Sequence, residues 1–177
     1  MSCLLTSGRS LPCKSSSVGG LKAVYFADYG TLGTPTIVDG EITAFDGTDI
    51  EFFKFDIKGN STLETTINSS GENRSLFYTQ TLNLTLPKLD KGTQEEVKLL
   101  AAGRPNIAIE DYNGNFFLVG LENGAEVVSG TIVSGGSMSD MSGFTLVFEA
   151  METEPAYFVT PTVIIDATSD VVIDPTA

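Results

Sequence analysis

The sequence predicts a mainly β protein (α+β in the broad sense), closing as a β-barrel or a two-sheet β-sandwich with one flanking α-helix near residues 93–103. Three observations predict it. Eighteen Gly, eleven Phe and abundant Thr and Ser tilt the composition toward strands and turns. Short apolar stretches with period-two alternation recur along the chain, separated by Asp-Gly, Asn-Gly and Gly-Gly signals. A single mid-chain stretch carries helical spacing together with start and stop residues.

In chain order, residues 1–17 are small and polar and read as a flexible N-terminal arm that orders by docking. Leu21 to Tyr29 reads as a first strand. Thr36 to Phe45 reads as a hairpin, because Asp39-Gly40 sits between Ile37-Val38 and Ile42. Ile50 to Ile57 places Phe52, Phe53 and Phe55 on both faces, so both faces need cover. The cover is either a sheet and the helix or a neighbouring subunit. Thr62 to Asn68 is a polar strand and Ser69 to Arg74 a loop. From Leu76 to Leu86 the alternation is clearest: Leu76, Tyr78, Leu82, Leu84 and Leu86 share one face, interrupted by Gln80. The other face carries Phe77, Thr79, Thr81, Asn83 and Thr85. Eleven extended residues span ~36 Å, longer than most strands.

The helix is expected to start at Thr93, with Glu96 completing a capping box, and to bury Val97, Leu100 and Ala101. Gly103 and Pro105 stop it. Asn113-Gly114 then joins Ile107–Ile109 to Phe116–Val119 in a second hairpin. Further strands are expected at Val127-Val128, Thr131–Val133 and Phe144–Phe148. A body of residues 18–156 is followed by a C-terminal extension, 157–177. Val163–Ile165 and Val171–Ile173 are each capable of adding a strand there.

The charge is lopsided. All ten Lys and Arg fall at or before Arg104, and the chain carries twenty-three Asp and Glu for a net charge of −13. Residues 1–104 carry ten bases and twelve acids, a net of −2; residues 105–177 carry eleven acids and no base, a net of −11. Such a field repels polyanions. The scattered bases form no nucleic-acid patch. There is no His to act as a base near neutral pH. Cys3 and Cys13 match no zinc spacing and read as reduced thiols near the terminus. Glu110-Asp111 and Glu149/Glu152/Glu154 are the only carboxylate groupings that suggest glycosidase chemistry, and solvated surface acids explain them more simply. Ser134-Gly135-Gly136-Ser137 lacks the Lys and the helix of a phosphate loop. No metal, nucleotide or cofactor site is expected, and the chain is expected not to be an enzyme. The first thirteen residues do not read as a signal peptide, and no run is long enough to cross a membrane. The Asn-X-Ser/Thr triplets at Asn60, Asn68, Asn73 and Asn83 read as chance.

One resemblance covers most of residues 13–156. Its residues are Cys13, then Gly19-Gly20-Leu21-Lys22-Ala23-Val24-Tyr25, and Glu110-Asp111-Tyr112-Asn113-Gly114-Asn115 followed by Phe116-Phe117-Leu118-Val119-Gly120. After a small-residue segment come Ser139-Asp140-Met141-Ser142-Gly143-Phe144-Thr145-Leu146-Val147-Phe148 and Met151-Glu152-Thr153-Glu154-Pro155-Ala156. In this order, after a helix, they resemble virion structural proteins of tailed bacteriophages, especially tail tube-like proteins of phages infecting Bacteroidetes and marine bacteria. The resemblance implies a barrel or sandwich with one flanking helix. It implies subunits forming rings, typically six-fold, stacked into a hollow tube for DNA, as in related contractile injection and type VI secretion machines. It implies no catalytic residue, partners that are copies of the chain and other tail proteins (sheath, baseplate or terminator), and a place in the virion tail after assembly in the host bacterial cytoplasm.

On that reading Phe52, Phe53, Phe55, Arg74 and Leu76 are candidate subunit contacts, and Glu122 and Glu126 candidate lumen acids that repel DNA in transit. The Thr/Asn face of residues 77–85 is a candidate lumen wall. A capsid-decorating or neck/connector protein with an Ig-like sandwich is an alternative. So is a small carbohydrate-binding sandwich, for which Tyr112, Phe116 and Phe117 would be the sugar platform.

Overall fold

The computed structural model describes residues 7–14, 17–57 and 59–169. The elements in chain order are β1 (Leu21–Ala27), β2 (Pro35–Val38), β3 (Glu41–Phe45), β4 (Phe53–Asp56), β5 (Thr62–Ser70), β6 (Ser75–Pro87) and α1 (Lys91–Ala102). They continue with β7 (Asn106–Asp111), β8 (Phe116–Val119), β9 (Glu126–Val133), β10 (Gly143–Glu152), β11 (Tyr157–Val159) and α2 (Pro161–Ile165). A seven-stranded sheet runs β2-β3-β11-β8-β7-β1-β4, and a four-stranded sheet runs β5-β6-β10-β9.

The two sheets face each other as a sandwich. Val24 and Phe26 of β1, Ile107 and Ile109 of β7, Leu82, Leu84 and Leu86 of β6, and Phe144, Leu146 and Phe148 of β10 make the shared core. Phe26 centres an aromatic cluster, with Phe148 at 5.5 Å and Phe55 edge-on at 5.1 Å. No closed barrel forms, because the outer strands β5 and β9 pair with no strand of the larger sheet. The barrel alternative is thereby corrected to the sandwich.

A second core lies on the opposite face of the larger sheet. Small residues there, Ala23, Ala27 and Ala108, leave room for Phe52, Leu32 and Ile164. The β1 and β7 strands are therefore buried on both faces. The C-terminal part of the chain, from residue 157 on, supplies much of this cover. Strand β11 sits inside the sheet, parallel to β3 and antiparallel to β8. Val163–Ile165 is helical rather than extended, and its Ile164 is fully buried. The expected strand at Val171–Ile173 lies outside the described residues, as does Cys3 of the arm.

Local chemistry explains the turns. Asp39 and Gly40 have φ of 53° and 84°, the left-handed pair that a two-residue hairpin demands. Between β7 and β8 the loop is longer than a bare Asn-Gly turn. Asp111 accepts the N–H groups of Asn113 and Asn115 at 2.8 Å and both side-chain amides at 3.0 Å. Burial opposes the Asp111 charge, but these donors outweigh it and hold its carboxyl below the usual range. Helix α1 begins one turn earlier than expected. Asp90, not Thr93, is the cap, its carboxylate accepting the Thr93 N–H at 2.8 Å. The expected stop holds at Gly103, whose N–H donates to the Leu99 carbonyl.

Candidate assembly surface

The four-stranded sheet presents one face to the core and one to solvent. Its registered pairs place Thr62, Glu64, Thr66 and Asn68 of β5 on the solvent face. Beside them are Thr79, Thr81, Asn83 and Thr85 of β6, and Thr145, Val147, Glu149 and Met151 of β10. Glu126, Ser129 and Thr131 of β9 complete the face. No Lys or Arg occupies an outward position on these four described strands. One rung concentrates the acid: Glu126 pairs with Glu149, Glu149 with Thr81, and Thr81 with Glu64. Like charges directly opposite each other destabilise a strand pair, so Glu126 against Glu149 is a cost to the fold, with Glu64 on the same rung one strand further on, across Thr81.

Of the two candidate lumen acids, Glu126 lies on this face. Glu122 does not; it sits in the turn between β8 and β9, where its carbonyl accepts the Tyr29 hydroxyl at 2.7 Å. Arg104 lies over the same Tyr29 ring at 4.2 Å. Glu64 and Glu149 were not singled out as lumen acids. Only cross-strand register, which sequence does not give, aligns them with Glu126.

Among the described residues neither outer strand of this sheet has a second strand neighbour, and α1 lies against β9. β5, nine residues, and β9, eight residues, each pair on one side only. Long open edges are templates for a further strand. The hairpin of β5 and β6 also overhangs its neighbours. Pairing between β10 and β6 ends at Glu152–Tyr78, whereas β5 and β6 stay paired to Ser70–Ser75. On the overhang Ile67 is 66% and Leu76 54% exposed, with Phe77 also exposed. Arg74 lies in the turn at the tip, with φ of 51°. Two of the five candidate contact residues, Arg74 and Leu76, are therefore at one exposed tip.

The phenylalanines separate. Phe52 is fully buried, bonded through its N–H to the Ala167 carbonyl and through its own carbonyl to the Ser169 N–H, both at 2.8 Å. It belongs to the second core, so its assignment to a subunit contact is corrected. Phe55 packs on Phe26 between the sheets. Phe53 alone is exposed, at 37%, on the edge strand β4. The double-sided apolar strand is thus covered by a sheet and a helix, but the helix is α2.

Three of the five carboxylates in the glycosidase-like groupings, Glu110, Asp111 and Glu152, have structural partners. Glu110 is buried and accepts Lys22 Nζ at 2.5 Å and the Tyr25 hydroxyl at 3.0 Å. Glu152 is buried at the end of β10 and accepts the N–H groups of Glu122 and Asn123. Burial raises its carboxyl above the usual range, against the pull of those two donors. Gln80, the polar interruption of β6, is buried as a bridge: it accepts the Gly120 N–H and donates to the Glu154 carbonyl. The three aromatics considered as a sugar platform do not form one. Tyr112 is exposed, Phe116 is buried, and Phe117 is stacked on Phe158 at 4.8 Å. Among the described residues no three His, Cys, Asp or Glu side chains gather as a metal site.

No family model matches this chain, and no curated protein or solved structure is significantly similar to it.

Proposed function

We propose that this chain is a structural subunit that assembles head to tail with copies of itself into rings, stacked as the inner tube of a bacteriophage tail through which DNA passes. The observation that carries the reading is the four-stranded sheet, whose outer strands β5 and β9 each pair on one side only among the described residues and whose solvent face is acidic. Successive strands β5, β6, β10 and β9 are each antiparallel to the next. β9 therefore runs opposite to β5. Rotation about an axis along the strands brings β9 of one copy beside β5 of the next in antiparallel sense. That is a heterologous contact, and it closes when the rotation divides a full turn.

In such a ring the solvent face of the sheet becomes the wall of the lumen. The Thr and Asn residues wet it, and the rung of Glu64, Glu149 and Glu126 repeats around it as a band of negative charge. Phosphates are repelled from that band, so DNA passes without adhering. The cost of the like-charge rung to the single fold is then repaid in transport. The overhanging tip with Ile67, Leu76 and Arg74 supplies an apolar contact between stacked rings. Other tail proteins, such as sheath, baseplate or terminator, would meet the outer face and the ends.

Sedimentation velocity across a concentration series tests the edge contact. Val128, 55% exposed at the irregular register of β9, is changed to Lys to guard the edge. The expected result is large assemblies for the unaltered chain and at least a tenfold higher concentration for assembly of Val128→Lys, with unchanged thermal unfolding. Equal assembly by both would remove the edge from the account.

A further inference from the structure

We propose that the outer edge of β4 is a strand-docking site, filled by residues 170–173 of the same chain as a parallel edge strand. The contact lies within one copy and is independent of assembly.

Parity along β4 fixes which backbone groups are spare. β4 pairs with β1 on one side and, among the described residues, with no strand on the other. The Ile57 N–H donates to the Lys22 carbonyl of β1 at 3.3 Å. Phe52 points the other way: its N–H donates to the Ala167 carbonyl and its carbonyl accepts the Ser169 N–H, both at 2.8 Å. Backbone groups alternate sides along a strand. The N–H and carbonyl groups of Lys54 and Asp56 therefore face outward with those of Phe52, as a ladder ready for a partner.

The first rung of that ladder is already made. Phe52 and Thr168 form a parallel bridge. Continued two residues at a time, the same register sets Asp170 beside Lys54 and Val172 beside Asp56. The Lys54 N–H then donates to the Ser169 carbonyl and the Asp56 N–H to the Val171 carbonyl. In return, the Val171 and Ile173 N–H groups donate to the Lys54 and Asp56 carbonyls. Pro175 stands at the next donor position and has no N–H, so the ladder ends at Ile173.

Side-chain chemistry agrees with this register. Phe55 and Ile57 face the core between the sheets, and Phe53, on the same face, is 37% exposed. Val171 and Ile173 fall on that face and extend its apolar surface over the edge. On the opposite face Asp170 falls beside Lys54, the one cation of β4. Lys54 Nζ lies 2.9 Å from Asp56, whose side chain is 82% exposed. An ammonium has three donors, so it can take a second carboxylate. The four residues span ~13 Å, the length from Lys54 to Ile57.

Amide hydrogen exchange on the full chain, at two concentrations about a hundredfold apart, tests this, with the Phe52 N–H as internal reference. In the unaltered chain the Lys54 and Asp56 N–H groups are expected to be protected, equally at both concentrations. Val171→Pro removes a donor that faces β4 and is expected to speed their exchange at least about tenfold. Val172→Pro, whose missing N–H faces away from β4, is expected to change it by less than about threefold. Fast exchange at Lys54 and Asp56 beside a slow Phe52 in the unaltered chain means an empty edge and overturns the proposal. Equal losses in the two variants would put the segment in another register, and no loss in either would assign the protection to another group; both overturn it. Protection that disappears on dilution gives the segment to a second copy and overturns it as well. The measurement on the unaltered chain stands whether or not a variant folds.

Discussion

At the scale of single residues, two buried polar groups decide how the sheets are joined. Gln80 satisfies the Gly120 N–H and the Glu154 carbonyl at once, tying the four-stranded sheet to the chain on either side of it. Replacing it by Leu leaves both backbone groups unpaired, at about 1–3 kcal/mol. For a chain of this size the Gln80→Leu midpoint should fall by several degrees, at about 2–4 °C per kcal/mol, read by circular dichroism. Glu152 behaves oppositely. Its folded pKa is raised by burial, so the folded state holds its proton where the unfolded state has already released it. Stability therefore falls as pH rises through the folded value, and the loss persists at neutral pH. Glu152→Gln keeps an acceptor for the Glu122 and Asn123 N–H groups and removes the charge. It should melt higher than the unaltered chain at pH 7, with the difference closing as the pH falls toward 4. An equal or lower midpoint at pH 7 would contradict the raised pKa.

At the scale of elements, the two helices contrast in how legible they were. α1 was readable from Val97 and Leu100 at helical spacing and from Gly103 and Pro105 after them. Its start was misplaced because Asp90 and Thr93 both suit a cap, and only geometry shows which carboxylate or hydroxyl meets an N–H. Asp90→Ala should cost about 1 kcal/mol. α2 and β11 were not legible. Each is too short for periodicity, and β11 is held by pairing with β3, more than a hundred residues earlier in the chain. The same blindness to long-range cover left Phe52 poised between core and contact. Buried Ile164 and exposed Ile165 make the test within one helix. Ile164→Ala should cost about 2–5 kcal/mol, whereas Ile165→Ala should stay within about 0.5 kcal/mol in chemical denaturation. β6 was legible as alternation, but its pairing with β5 out to Ser70–Ser75 and the resulting overhang were not, since the end of β10 sets where the support stops.

At the scale of the whole molecule, the strand-rich class and the placement of the apolar faces followed from alternation and turn chemistry. The choice between barrel and sandwich did not, because closure depends on whether edge strands meet. The same open edges that prevent closure within one copy are the basis for closure among several. Charge is the second global property. The acidic surplus was visible in the sequence, but its concentration on one rung came from register. Neutralising Glu64, Glu126 and Glu149 to Gln should strengthen assembly by relieving repulsion around the ring, while allowing DNA to be retained in assembled tubes at low salt. The check is nuclease-protected DNA recovered from tubes of each kind after salt washing.

The central claim is that the chain acts as one unit of a hollow, self-built assembly. Negative-stain electron microscopy of the purified protein over a range of concentrations tests it most directly. Rings with an open centre that stack into tubes of uniform width are the expected result. A field of isolated particles of the size expected for a single 18.8 kDa chain, at every concentration, would contradict it.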